Sequence, residues 1–271
     1  MYTPASAPRT IGGVLDDTLR LYRSAFSAWI VPSLIMAAIR FAISLYLNAK
    51  LTALMGVGAQ GTGAMAAQTA AIMHTPGLWP AYIVLIVLDV GLLTWLVANI
   101  LEVAIGKAPK ALDGLGVGVR LLPAGLLGSF LVGLAVVGGM ILLVIPGLYI
   151  AGRLLYWNVA LVDERAGATT AIGTSWALVK GHWWRSTTVL GVLWIIAIVV
   201  SMVAAMASGV SAALVNHDLA TVQLVTQSVA AVLNIFVTPL IPCGLVAIYQ
   251  DLKLRAGGGD LAARISSLQP T

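Results

Sequence analysis

VDERAGATTAIGTSWALVKGHWWR, residues 162–185, is the longest polar interruption in a chain that is otherwise a succession of apolar runs. From Ala168 the apolar residues Ala168, Ile172, Trp176, Val179 and Trp183 recur at intervals of three and four, which places them on one face of a helix. Gly181, directly after Lys180, predicts the helix end: glycine accepts a left-handed turn, and a lysine in the last turn suits the helix dipole. Trp183, Trp184 and Arg185 then open a new apolar run, where amphipathic rings and a snorkelling cation suit a membrane–water boundary. The stretch therefore predicts an interfacial helix over 168–181 that feeds a transmembrane helix.

Composition agrees. Hydrophobic residues make up 60% and charged residues 9% of the 271 positions, against about a quarter charged in soluble domains. The expectation is an all-α, polytopic membrane bundle of about six spans of roughly 20 residues each. The 15 Lys and Arg are scattered one to three at a time between apolar runs rather than gathered in a patch, which argues against nucleic acid as a partner. Cys243 is the single cysteine and lies in an apolar run, so no disulfide or thiolate metal site is expected. MYTPASAPRT at the N-terminus has no apolar signal core, and the chain is expected to be uncleaved.

Taken in order, Thr10 reads as the N-cap of an interfacial helix over 10–27, with Ile11, Val14, Leu15, Leu19, Tyr22 and Phe26 as its apolar stripe and Asp16 paired to Arg20. Spans are expected at 29–47, 81–101, 121–145, 148–162, 186–207 and 224–249, with a Gly/Ala/Thr-rich outer loop over 50–77 and a polar tail over 251–271. Pro80 opens the second span. Gly125, Ser129 and Gly133 allow a neighbour to approach the third. Pro146-Gly147 marks either the turn of a tight hairpin or the kink of one span followed by a re-entrant segment. Asn234, Pro239 and Pro242 predict a broken sixth span. Charge orients the bundle: with both termini in the cytoplasm, every Lys and Arg except Lys50, Arg40 and Arg153 falls on the inner side of a bacterial inner membrane. The same pattern suggests three units, over 9–102, 107–163 and 166–250, each an inner segment followed by an outward and a returning span.

Several motifs resemble those of the glycerophosphoryl diester phosphodiesterase membrane domain family. They are Pro146-Gly147-Leu148-Tyr149 with Arg153, Val162-Asp163-Glu164, Ala171-Ile172, Ser175-Trp176-Ala177-Leu178 and Lys180-Gly181-His182-Trp183-Trp184-Arg185. Ile11-Gly12-Gly13-Val14-Leu15-Asp16-Asp17, Leu21-Tyr22-Arg23 and Tyr249-Gln250-Asp251-Leu252 extend the resemblance over nearly the whole chain. It implies a multi-helix bacterial inner-membrane protein. In the proteins that give the family its name such a region is fused to a catalytic domain, for which this chain has no room, so no activity carries over.

Three ionisable residues fall inside expected spans, where charge is costly and marks function by default: Arg40, Asp89 and Arg153. At about 1.5 Å per residue each lies roughly 9–12 Å below the outer end of its span, so an ion-paired cluster at one depth is expected. It is either purely structural or net positive and able to hold an anionic headgroup. At the inner face Asp16, Asp17, Arg20, Arg23, Glu164, Trp176, Lys180, Trp183, Trp184, Arg185 and Asp251 form either a network clamping the interfacial helices or a site for lipid headgroups or a partner protein. His74, His182 and His217 stand in separate segments without ligand spacing, and no base lies near Cys243. No catalytic residue, metal or cofactor is therefore expected. The function that follows is a non-catalytic scaffold or accessory subunit contacting membrane lipids, a partner protein or a second copy. A small transporter or lipid-handling permease is the competing class, and a lipid-acting enzyme the third.

Overall fold

The computed structural model describes residues 2–5, 7–55, 77–215 and 219–268. Among these the secondary structure is entirely helical: α1 (Ile11–Ser24), α2 (Phe26–Met55), α3 (Leu78–Ala104), α4 (Leu115–Leu142), α5 (Val144–Leu154), α6 (Trp157–Glu164), α7 (Ala168–Leu178), α8 (Trp183–Val215), α9 (Leu219–Val237) and α10 (Leu240–Leu268). Six stretches are long and apolar enough to cross a membrane: Phe26–Leu47, Trp79–Ala104, Leu115–Leu142, Val144–Glu164, Trp183–Val203 and Leu224–Gly257. Most of the expected outer loops, with His74, His217 and Asp218, lie outside the described residues.

Helix ends follow local chemistry. Thr10 caps α1, its hydroxyl accepting from the Gly13 amide at 3.2 Å. Pro80 sits in the first turn of α3, where its missing N–H costs nothing. Gly181 takes φ +80° in the turn between α7 and α8. Several boundaries move. α2 continues through Lys50 to Met55, and α10 continues through the expected polar tail to Leu268, its start over the tail secured by the Asp251–Arg255 pair one turn apart. The α4–α5 hairpin turns at Leu143, in extended backbone, and Pro146 falls in the first turn of α5. The fourth apolar stretch is bent, with α5 ending at Leu154 and α6 starting at Trp157. Residues 107–114 form a turn, so the second expected unit has no leading helix.

The faces that pack are the larger correction. On α1 the buried residues are Val14, Asp17, Thr18 and Leu21, while Ile11 and Leu19 of the expected stripe, and Phe26 at the start of α2, are exposed. On α7 Ala168, Ala171 and Ser175 are buried and Trp176 is exposed. On α4 the packing row is Gly118, Leu121, Gly125, Gly128 and Gly139, with Leu127, Phe130 and Leu134 outward. A Cβ on Gly125 would stand 2.9 Å from Val90, whereas Gly133 faces open space. A bilayer accepts bulky apolar side chains as readily as a core does, so small residues settle where helices meet.

α3 is the axis of the bundle, packing against α2, α4, α6 and α10; α9 lies against α2 and α8, and α1 lies along α10. The core is concentrated toward one end, around Trp29, Leu96, Ile100, Tyr156, Leu161, Leu193, Ile248, Tyr249 and Leu252. That end also carries most of the charged residues.

Candidate functional site

Asp251 is the hub of the charged end. Asp251 is 4% exposed, and its carboxylate accepts from the Arg9 backbone N–H at 2.8 Å, from Arg185 Nε at 3.0 Å and from Arg255 Nε at 2.9 Å. The Arg9 carbonyl accepts in turn from Arg185 and Arg255, and the Arg9 side chain pairs with the buried Asp17 at 2.6 Å. Burial pushes the Asp17 carboxyl above the usual carboxylate range, and Arg9 offsets this only in part. The N-terminal segment, α1, α8 and α10 are thus tied at one point. Beside it Asp163 accepts from Lys253 Nζ at 2.6 Å and from the Tyr249 hydroxyl at 3.0 Å, joining α6 to α10. Of the residues expected in this network, Asp17, Arg185 and Asp251 are brought together, while Glu164 accepts from Thr174 and makes no ion pair among the described residues. Asp16, Arg20, Arg23 and Lys180 are exposed and make no ion pair among the described residues, so the expected Asp16–Arg20 pair is absent there.

Two members of the hub, Arg9 and Arg255, are not apparent from sequence. Arg9 acts largely through its backbone, and Arg255 stands beyond the expected last span. Asn99 was also missed. Fully buried, it donates to the carbonyls of Ala28 (2.8 Å) and Ala111 (2.6 Å) and accepts from the Gly114 amide (2.9 Å), joining α2, α3 and the 107–114 turn. The only signal is an amide inside an apolar run.

Arg40 and Asp89 meet as expected, in a two-pronged pair: Nε to Oδ1 at 3.0 Å and Nη2 to Oδ2 at 3.1 Å. Arg153 does not join them. Its Nη1 donates to the Tyr149 hydroxyl at 2.8 Å and its Nη2 to the Trp176 carbonyl at 2.6 Å, and its guanidinium carbon lies 4.3 Å from the Trp176 ring centre. The adjacent Gly152 abuts Trp183 and Thr187 at the start of α8. Counting rise from the hairpin turn gives a distance along α5 (Val144–Leu154) but not the side on which a residue faces, and Arg153 faces α7. The Ser175 hydroxyl secures the bend at 155–156, donating to the Arg153 carbonyl (2.9 Å) and accepting from the Tyr156 amide (3.1 Å). Trp183 stacks on Tyr149 with ring centres 5.8 Å apart, and Trp184 is exposed.

Next to the Arg40–Asp89 pair an open groove of about 580 Å³ runs between α2, α3, α8, α9 and α10. Its walls are apolar, including Met36, Leu93, Trp194, Ile198, Met202, Ile241 and Leu245; Arg40, Ser201, Asn234 and Thr238 supply its polar groups. A smaller hollow of about 230 Å³ shares Arg40, Asn234 and Thr238 with it. The sixth apolar stretch breaks here: α9 ends at Val237 and α10 begins at Leu240. Pro239 and Pro242 offer no N–H to the carbonyls of Ile235 and Thr238, while Tyr22 donates to the Phe236 carbonyl at 2.8 Å. Asn234 lies three residues before the break, its side chain donating to Ala230 at 2.8 Å and its carbonyl accepting from the Thr238 amide at 2.9 Å. Among the described residues no group of three His, Cys, Asp or Glu side chains is arranged to hold a metal. No family model matches the chain, and neither a curated protein nor a solved structure matches it.

Proposed function

We propose that this chain is a non-catalytic membrane protein, its charged end toward the cytoplasm of a bacterial cell, that holds a lipid-like amphiphile in the groove between α2, α3, α8, α9 and α10. The observation that carries the reading is the groove itself. It has the size of a small-molecule site and long apolar walls, and its few polar groups gather at a broken helix. The Arg40–Asp89 pair is internally neutral and leaves Arg40 Nη1 outside its two hydrogen bonds, which suits an uncharged or zwitterionic polar head above an apolar tail. A non-catalytic role is supported by the way the carboxylates of Asp17, Asp163 and Asp251 are committed to ion pairs that join helices.

Native mass spectrometry of the protein released from polymer nanodiscs tests this. Wild type is expected to retain a lipid-sized adduct that is lost in Ser201→Trp, which fills the groove from its exposed rim. Equal retention by a folded Ser201→Trp protein overturns the reading. The broken sixth span favours a second reading, in which the bound molecule is moved: transport then requires proteoliposome flux that Ser201→Trp abolishes. A stoichiometric partner protein, with no adduct in wild type, would return the chain to a pure scaffold.

A further inference from the structure

Among the described residues three charged side chains are at least nine-tenths buried: Asp17, Asp251 and Arg153. Both aspartates have arginine partners. Arg153 has no carboxylate within ion-pair distance among the described residues, and its buried Nε has no hydrogen-bond partner. What surrounds the guanidinium is neutral: the Tyr149 hydroxyl, the Trp176 carbonyl, and the rings of Trp176 at 4.3 Å and Tyr149 at 5.6 Å. Hydrogen bonds and cation–π contacts lower the cost of burying this cation and leave its charge uncancelled. An anion held from outside the chain at the Tyr149 side would offset this charge without reaching the buried Nε.

The surroundings identify the anion. Gly152 against Trp183 and Thr187 places Arg153 at the level where α8 begins, among the aromatic side chains Tyr149, Trp176, Trp183 and Trp184. Tyr149 and Trp176 are about two-fifths exposed and Trp184 almost four-fifths. The Tyr149 hydroxyl accepts from Arg153, so its own proton is free to donate away from the protein. Along α5 toward the hairpin tip Leu148, Ile145 and Val144 are exposed and apolar, a surface for acyl chains. We propose that Arg153 and Tyr149 form the headgroup site of an anionic phospholipid. A phosphate oxygen takes the Tyr149 proton and faces the Nη edge of Arg153, the indoles of Trp176 and Trp184 lie beside the glycerol level, and a chain runs along α5. The site is separate from the groove and does not depend on its occupant.

The test uses the full chain in nanodiscs of equal phosphatidylglycerol and phosphatidylcholine, with retained lipid counted by native mass spectrometry. Wild type is expected to retain one phosphatidylglycerol in preference to phosphatidylcholine. Tyr149→Phe, which keeps the ring contacts, should weaken that preference roughly tenfold, the scale of one hydrogen bond to a charged group. Arg153→Gln should remove it, and Ser201→Trp should leave it intact. Equal retention of the two lipids by wild type, or an undiminished preference in Tyr149→Phe, overturns the proposal. So does a preference that millimolar inorganic phosphate abolishes, because the ligand would then be the free ion.

Discussion

The charged end and the apolar end of this bundle keep their helices together by different means. At the charged end Leu96, Ile100, Tyr156, Leu161, Leu193, Ile248, Tyr249 and Leu252 are almost inaccessible, and buried polar groups tie elements that are remote in sequence. Toward the apolar end Ile83, Val84, Ile195, Val199 and Met202 are exposed, the groove separates helices, and Arg40–Asp89 is the ion pair that bridges α2 and α3. The first end is specified by the protein itself. The second leaves its helices apart along the groove, so rigidity belongs at the charged end.

The strongest way to break the comparison is to remove the hub. Asp251→Ala strands Arg185, Arg255 and the Arg9 amide together, and a loss of about 3–5 kcal/mol is expected for one buried partner removed from such a set. Unfolding in mixed micelles measures it, and faster tryptic cleavage at Arg20 or Arg23 would show that α1 has come loose. Asn99→Ala leaves the Ala28 carbonyl and the Gly114 amide unpaired and should cost about 2–3 kcal/mol in the same assay. Asp89→Asn acts on the other end. The side chains of that pair are about a third or more exposed, so a change of about 1 kcal/mol is expected, with tryptic protection of α1 unaltered. A loss as large as that of Asp251→Ala would erase the distinction between the ends. Asp16→Ala, on an exposed face, should change neither stability nor cleavage; a measurable loss would mean that the clamp extends over the outside of α1.

Much of the architecture was legible because a span needs a long apolar run and leaves a plain signature. Thr10 as a cap, Gly181 as a turn and the Arg40–Asp89 pair were equally readable, since each follows from one residue type in one physical setting. The facing of α1 and α7 was not. A stripe of bulky apolar residues identifies a core face in water, but here Phe26 and Trp176 are exposed while Asp17 and Ser175 pack inward; on α4 Gly125 packs as expected and Gly133 does not. Depth failed for a related reason. A count of residues from a turn gives distance along α5 and not the neighbour a residue meets, and Arg153 meets Trp176 of α7 rather than Asp89. Arg9 stayed hidden because its contribution comes from a peptide group that every residue has. Arg153, Ser175, Trp183, Arg185 and Asp251 are each engaged in contacts between elements.

The Arg9–Asp251 bond also bears on how the molecule is made. Its two ends are 242 positions apart, so at about 5–20 residues per second the ribosome needs roughly 12–50 s to deliver the second after the first. α1 has its cap from the start, but Arg185 follows Arg9 by 176 positions, and α10, along which α1 packs, is the last helix made. The earliest helix synthesised is thus the last to be locked. A chain cut short before α10 would leave its own beginning unfastened, an exposed handle by which unfinished copies differ from finished ones.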